Sequence, residues 1–369
     1  MKSDEVVRVL VVAPWPPPSG GIATWCVMLE NYSQTQESAR LEFVSTSHVG
    51  MKVAGRGLRD RVWRQGLGMI GVLRIVLSRL RCDSFDVVHV TCTGQLSILR
   101  DAAVLVMARM FRVPTIYHMR FGRIPDIASR GTLEWGALAC VLRLATSVVV
   151  IDQQTESVIR RRLPSVIVQR VPNPVDIDAL SHPGQLGEVV VFAGWVTAAK
   201  GVEELLQSWA RLASDRPTWR LQLVGPVEDG YLRQLKSTYS LPRVTFCGEL
   251  SHSETLDRIL HAGVFVLPSY TEGFPNVILE AMACARPVVA TSVGAIPEML
   301  RDGAGILVAP GNVDELTRGL ASAIDNSVSS VECGVKARER VLREYSLPRV
   351  FEEYVSIWQQ AASREIQGH

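Results

Sequence analysis

Twelve short apolar runs, separated by longer stretches of helical periodicity, constrain this chain more than any other feature. They fall into two series of six. The first is Val7–Ala13, Leu41–Ser45, Asp86–Val90, Pro114–Tyr117, Ser147–Ile151 and Val166–Val171. The second is Val189–Ala193, Arg220–Val224, Val244–Cys247, Val264–Leu267, Val288–Ala290 and Gly305–Val308. Most are continuous rather than alternating, the pattern of strands covered on both faces of a parallel sheet. Helices are expected between them, near Ile22–Tyr32, Arg59–Leu80, Gln95–Phe111, Leu133–Ala145 and Thr155–Leu163 in the first half. In the second half they are expected near Val202–Ala213, Tyr231–Tyr239, Ser253–His261, Asn276–Ala285 and Val313–Ile324. Alternation of this kind makes an α/β fold of two Rossmann-like, doubly wound domains. Ligands of such sheets bind at the carboxyl ends of the strands, which predicts a site in a cleft where the two domains face each other.

The length of 369 residues allows two domains with separate cores. Pro172, Pro174, Ser181, His182, Pro183, Gly184 and Gly187 mark the linker. The expected division is a first Rossmann-like domain over 1–180, a second over 188–345, and a last helix over 346–369. That helix carries Val350, Phe351, Tyr354, Ile357, Trp358 and Ala361 on one face.

A hydrophobic content of 47% with 21% charge is that of a globular chain, not a disordered one. No apolar run reaches 18 residues, so no membrane-spanning helix is expected. The opening MKSDEVVRVLVVAPW has Asp4 and Glu5 where a secretory leader is basic, and reads as a first strand. Seven scattered cysteines without a CxxC pair argue against a disulfide framework or a structural zinc site and fit a reducing cytosol. The net charge of +2 conceals an asymmetry. Residues 1–185 hold 22 Lys+Arg and 15 Asp+Glu, a balance of +7; the totals of 39 and 37 leave 17 and 22 for 186–369, a balance of −5.

Three loops carry candidate chemistry. The segment PSYTEGFPNVILEAMA (268–283) runs from a strand through a loop with Glu272 into a helix with Glu280. The amides of the helix N-terminus can take a phosphate while the carboxylates accept from sugar hydroxyls. Glu280 is expected on the side facing Ser269 and Gly273. The first strand empties into APWPPPSGGIATW, where Gly20 and Gly21 let backbone amides approach a phosphate closely. Lys200 and Gly201, at the start of another helix, place an ammonium within reach of a pyrophosphate. Each feature alone is weak, since strand–loop–helix turns often use Gly, Lys and Glu for geometry or solvation.

Together, these motifs resemble the signature of retaining GT-B glycosyltransferases of family 4, the group 1 type. LQLVGP (221–226), VTFCGELSHSETL (244–256), TSVGAIPEML (291–300) and DGAGILV (302–308) extend the resemblance over about 189–310. It implies a GT-B fold whose C-terminal helix crosses back to the N-terminal domain. It implies a hexosyl or other glycosyl transfer (EC 2.4) from a UDP- or GDP-linked nucleotide-diphosphate sugar to an acceptor hydroxyl, with retention of anomeric configuration. By resemblance Glu280 holds the ribose hydroxyls and Glu272 the donor sugar. The backbone of Gly273, Phe274, Pro275 and Asn276 lies against sugar and phosphate, and the loop after Gly248 against the base. Lys200 with the Gly20 and Gly21 amides stabilises the leaving diphosphate. His118 of TIYHMRFGR, like His89 before it, matches a weaker family feature and is expected beside the donor sugar as a catalytic residue without being the general base. No enzyme nucleophile is required, domain closure excludes water, and neither a metal nor another cofactor is expected. One departure stands out: where the family pattern has an arginine after the strand's Gly, this chain has Trp195, so a charge is missing. Arg120 or Arg123 is the substitute considered.

The acceptor side is less defined. Asp152 and Asn173 are candidates, and a glycan or lipid-linked acceptor in cell-surface polysaccharide or glycolipid assembly fits the family. Residues 50–81 carry eight basic side chains (Lys52, Arg56, Arg59, Arg61, Arg64, Arg74, Arg79, Arg81), one acid (Asp60), and a stripe of Leu67, Ile70, Leu73, Leu77 and Leu80. This reads either as a peripheral membrane contact at the inner face of the cell membrane or as an ordinary domain helix with solvated arginines. Trp63 is the one aromatic among these basic residues, which argues against nucleic acid. The expected location is cytoplasmic. The rival functions are a nucleotide-sugar 2-epimerase on the same fold and a non-catalytic nucleotide-sugar-binding subunit.

Overall fold

The computed structural model describes residues 6–16, 21–47, 58–92, 97–120, 122, 124–131, 133–178, 180 and 184–366; of 58–67 and 364–366 only the backbone is described. Twelve strands appear where the apolar runs predict them. The first six are β1 (Val7–Ala13), β2 (Ala39–Ser45), β3 (Val87–Cys92), β4 (Thr115–Met119), β5 (Ser147–Val150) and β6 (Val168–Arg170). The second six are β7 (Val189–Ala193), β8 (Arg220–Val224), β9 (Val244–Gly248), β10 (Val264–Leu267), β11 (Val288–Thr291) and β12 (Ile306–Val308). They form two six-stranded sheets, ordered β2-β1-β3-β4-β5-β6 and β12-β11-β10-β7-β8-β9. All pairings are parallel. Each order reverses direction from the first strand of its series, the doubly wound pattern.

The chain divides into two compact units, one of residues 1–174 with 348–369 and one of 175–347. At both crossing points the second unit ties off its ends: Val175 N–H donates to Tyr345 O at 2.9 Å, and Leu347 N–H donates to Val175 O at 3.0 Å. The segment expected as a linker is anchored by Arg286, which is 1% exposed. Its guanidinium donates to the carbonyls of Gly184, Gln185, Ala262 and Cys284 at 2.8, 3.3, 3.1 and 2.8 Å. Burial pushes its pKa down, and the four carbonyl dipoles replace the water it lost.

In the first unit the last helix, Leu347–Ile366, buries Val350, Phe351, Tyr354, Trp358 and Ala361. Phe351 meets Tyr32 at 5.1 Å between ring centroids, and Trp358 Nε1–H donates to His89 Nδ1 at 3.0 Å. The helix Leu58–Cys82 packs differently from the expected stripe. Val72, Val76 and Leu80 are buried in the core with Leu73 against them, whereas Ile70 is 45% exposed. The stripe follows a 4-residue row through Val72, Val76 and Leu80, so that of the expected Ile70, Leu73, Leu77 and Leu80 only Leu80 is buried. Arg79 pairs with Glu42 and Asp83. Lys52 and Arg56 lie outside the described residues, as do the side chains of Arg59, Asp60, Arg61, Arg64 and Leu67. No described helix is long and apolar enough to cross a membrane.

Arg286→Met keeps the length of the side chain but leaves four carbonyls without their donor. We expect it to cost about 3 kcal/mol or more, read as a lower urea midpoint for the second unit.

Candidate functional site

Strand order decides which loops meet. β7 and β10 are hydrogen-bonded neighbours, with Val190 opposite Val264 and Val191 opposite Phe265. Their carboxyl ends release the loops beginning at Gly194 and Pro268 side by side. Backbone contacts lock the two together: Tyr270 N–H donates to Ala199 O at 3.0 Å. Gly201 has φ 67°, and a Cβ there would lie 2.0 Å from Pro268 O, so only glycine fits.

This frame joins two predicted residues 72 positions apart. Lys200, at the end of the 3-10 turn Ala198–Lys200, places Nζ 2.6 Å from Glu272 Oε1. The Ser269 hydroxyl donates to the same oxygen at 2.6 Å. Ser269 is fully buried, and the Thr291 hydroxyl donates to its carbonyl at 2.5 Å. From the other side, Gly294 at φ 55° lies so close that a Cβ would meet Glu272 O at 2.3 Å, and Ala295 N–H donates to Gly273 O at 2.9 Å. Glu272 is therefore held by its backbone and by one carboxylate oxygen. Its other oxygen has no partner among the described residues, and the side chain is 10% exposed. That oxygen can accept from a hydroxyl, while the neighbouring ammonium offers a charge to a phosphate.

The next residues form the mouth of a helix. Phe274 is buried, its ring edge-on to Tyr345 at 6.0 Å. Pro275 precedes the helix Asn276–Ala283, whose N-terminus no side chain caps. Its first amides suit an anion. Glu280, one turn further, brings Oε1 to 3.9 Å from His252 Nδ1. Burial holds its carboxyl above the usual range, with the His252 charge partly offsetting. Trp195 is 68% exposed. With Val196, Thr197, Ala198, Pro226, Val227, Glu228 and Tyr231 it lines a cavity of about 540 Å³ next to the Lys200 turn. Gly248 ends β9 at φ 71°, its carbonyl accepting from Gly225 N–H at 2.8 Å.

In the first unit Gly21 opens the helix Gly21–Ser33; Gly20 and Arg123 lie outside the described residues. His118 is fully buried at the end of β4, packed on Trp25, His89 and Tyr354. Burial and the nearby Arg120 charge push His89 down to about 3 and His118 well below the ordinary histidine value, so both rings are neutral at physiological pH. Arg120 donates to Asn173 Oδ1 at 2.7 Å. Asp152 caps the helix Gln153–Arg162, its two oxygens accepting from the Thr155 amide and hydroxyl, both at 2.8 Å. Among the described residues no three His, Cys, Asp or Glu side chains gather as a metal would require.

Sequence reasoning missed Thr291, Gly294 and His252. The glycine in TSVGAIP was the available signal, a turn whose close approach to another loop no local pattern reveals.

Residues 187–326 match the family described as glycosyl transferases group 1. A GDP-mannose-dependent monoacylated alpha-(1-6)-phosphatidylinositol monomannoside mannosyltransferase of Corynebacterium glutamicum is 29% identical over 168 residues, 43% of this chain and 44% of that protein. An MMP alpha-(1->4)-mannosyltransferase of Mycolicibacterium hassiacum is 32% identical over 180 residues, 48% of this chain and 44% of that protein. The chain thus spans less than half the length of these two relatives. The alpha-D-kanosaminyltransferase of Streptomyces kanamyceticus is 24% identical over 81% of this chain and 83% of its own. Among solved structures, sucrose-phosphate synthase from Thermosynechococcus elongatus superposes with a TM-score of 0.76 at 17% identity, over 97% of this chain and 100% of that one. Anabaena HepE in complex with UDP superposes with a TM-score of 0.72 at 17% identity, over 96% and 100%. At these identities the two structural likenesses show the fold alone.

Gly201→Ala forces a side chain into a left-handed backbone against Pro268 O. We expect it to cost more than about 1 kcal/mol, seen as a lower Tm, and to displace Lys200 from Glu272. A second expectation concerns acid. Unfolded, the histidines titrate near 6.5, whereas folded His89 stays neutral to about 3. Between those limits the unfolded chain binds more protons, so stability falls as pH is lowered from 6.5 toward 3. Each buried histidine steepens the fall by up to about 1.4 kcal/mol per pH unit, which urea titrations across that window measure.

Proposed function

We propose that this chain, a member of the glycosyl transferases group 1 by its residues 187–326 and built on the GT-B fold, transfers a sugar from a nucleotide-diphosphate donor to an acceptor hydroxyl with retention. The observation that supports this most is the clamped Lys200–Glu272–Ser269 group beside the open mouth of the Asn276–Ala283 helix. A diphosphate needs positive charge and N–H donors, and a sugar needs hydroxyl acceptors; this corner of the second unit offers both within one strand pair.

In the ligand-free state Glu272 neutralises Lys200. A diphosphate arriving at the helix mouth competes for the ammonium and leaves Glu272 free to accept from donor-sugar hydroxyls, while Ser269 keeps the carboxylate in place. As the glycosidic bond lengthens, charge builds on the leaving diphosphate, and Lys200 with the backbone amides of Gly273, Phe274 and Asn276 stabilises it. Glu280 serves the ribose. Its raised pKa falls again when hydroxyl donors bind the charged form. The transfer uses no metal, and catalysis persists in EDTA. In the first unit Gly21 and His118 keep the donor-side roles that the resemblance implies. The acceptor is a glycan or lipid-linked saccharide used in cell-surface assembly, reached from the cytoplasmic side of the membrane.

A second reading rests on Trp195. An exposed indole where a guanidinium would share the diphosphate weakens the case for turnover, and supports a binding subunit that holds the nucleotide sugar without transferring it.

A thermal-shift screen of UDP- and GDP-sugars, followed by mass spectrometry with lipid-linked acceptors, tests the proposal. Glu272→Ala should lower kcat by about 100-fold or more, in the range seen when one transition-state contact is lost, with Tm near that of the parent. Near-parental turnover by that variant sinks the assignment. Tight donor binding with no product from any acceptor selects the second reading.

A further inference from the structure

Five of the seven buried side-chain polar atoms without a hydrogen-bond partner among the described residues crowd into one place in the first unit. They are Trp25 Nε1, His118 Nε2, Arg120 Nε, Arg120 Nη1 and the Tyr354 hydroxyl. Trp25 is the floor: Arg120 Cζ lies 4.4 Å from its ring centroid, the His118 ring 5.5 Å and the Tyr354 ring 5.8 Å. His118 and Arg120 stand two residues apart at the end of β4 and so leave the same face.

The protons in this cluster can be assigned. Trp358 Nε1–H can only donate, and it faces His89 Nδ1 at 3.0 Å. His89 Nδ1 is therefore the acceptor, and neutral His89 carries its proton on Nε2. That nitrogen lies 3.1 Å from His118 Nδ1, so His118 Nδ1 accepts in turn and the His118 proton sits on Nε2. The relay ends in an N–H with nothing to receive it.

All four orphaned nitrogens are therefore donors. Asn173 Oδ1 takes one Arg120 nitrogen; for the rest the acceptor at hand is the Tyr354 hydroxyl, for which Trp25 and Arg120 compete, and a single oxygen cannot serve them all. Arg120 gains its charge support from Tyr354 and Cys26, with no carboxylate among them, and the Cys26 thiol is itself pushed up to about 12 by burial. The cluster holds one buried cation, surplus donors and no anion, an arrangement that is costly unless an acceptor completes it.

We propose that this nest binds a phosphoryl group, with Arg120 supplying the charge and His118 Nε2–H and Trp25 Nε1–H the neutral donors, and that His89 and Trp358 are positioning residues that hold His118 in its donor tautomer. A tetrahedral oxyanion can take donors from several directions at once, which suits a guanidinium edge, an imidazole and an indole around one point. The phosphoryl group can belong to the diphosphate of a nucleotide or to a phosphomonoester. The site stands on the first unit alone and does not depend on Lys200.

Long-range proton–nitrogen spectra of the full chain with labelled histidine test it, recorded while inorganic phosphate, pyrophosphate, UDP and sn-glycerol 3-phosphate are titrated at millimolar concentration. We expect His118 protonated at Nε2 and a saturable shift of that resonance. Arg120→Met should weaken binding by more than about tenfold. Trp358→Phe should mix the two His118 tautomers and weaken binding several-fold. Lys200→Ala should leave the His118 shifts with inorganic phosphate and glycerol 3-phosphate unchanged, which separates this site from the donor site proposed above. A shift with pyrophosphate and UDP alone assigns the diphosphate source, and one with glycerol 3-phosphate the monoester. A proton on His118 Nδ1, no shift with any of the four probes, or equal binding by Arg120→Met overturns the proposal. Should Arg120→Met fail to fold, the parental titration and Trp358→Phe still decide.

Discussion

The pairing of β7 with β10 is the constraint on which the rest of the second unit depends. These strands are separated by 70 residues of chain, yet lie side by side because β8 and β9 grow outward from β7 while β10, β11 and β12 grow the other way. The reversal brings two carboxyl-end loops into backbone contact. Gly201 against Pro268 and Gly294 against Glu272 are points where the backbone is pressed too close to admit a Cβ. The ion pair between Lys200 and Glu272 is a consequence of that contact. Loops positioned by backbone hold their side chains more firmly than loops positioned by side chains alone, because fewer rotatable bonds intervene.

The first unit solves a different problem. Its neighbouring strands β3 and β4 carry two buried imidazoles, His89 and His118, and the packing that surrounds them comes from both ends of the chain. Trp25 arrives on the first long helix; Tyr354 and Trp358 arrive on the last, 269 residues after His89 in the case of the Trp358 bond. Tyr354 stacks on Trp358 at 5.6 Å and 20°. The helix that returns from the second unit is thus part of the first unit's core, and it sets the protonation geometry of the histidines as well as burying them.

Much of this was legible in sequence. The strands announced themselves because a strand covered on both faces must be apolar throughout, and short continuous runs of valine and leucine have few other uses in a polar-edged chain. The helices Ile124–Arg130 and Ser327–Arg340 were not expected. The first is only seven residues long, and the second exposes Val328, Val331 and Val335, which blurs its apolar face. The stripe on Leu58–Cys82 was misplaced because Val72 and Val76 meet the core beside Leu80. Asp152 had the residue type of a binding group and the position of a cap, and the position prevailed: an aspartate before a helix is within reach of unpaired amides before any ligand comes.

The sequence by itself determined the strand count, the parallel α/β character, the doubly wound alternation and the residue types at the glutamate-bearing turn. These depend on local periodicity and on hydrogen-bonding needs that extend only a few residues. Tertiary structure alone decided that Lys200 meets Glu272, that Arg286 holds the 184–185 segment, and that Trp358 dictates which nitrogen of His118 bears its proton. Each joins residues far apart in the chain through contacts of a few ångströms. Such contacts arise from strand order and from the return path of the last helix, and no local pattern encodes either.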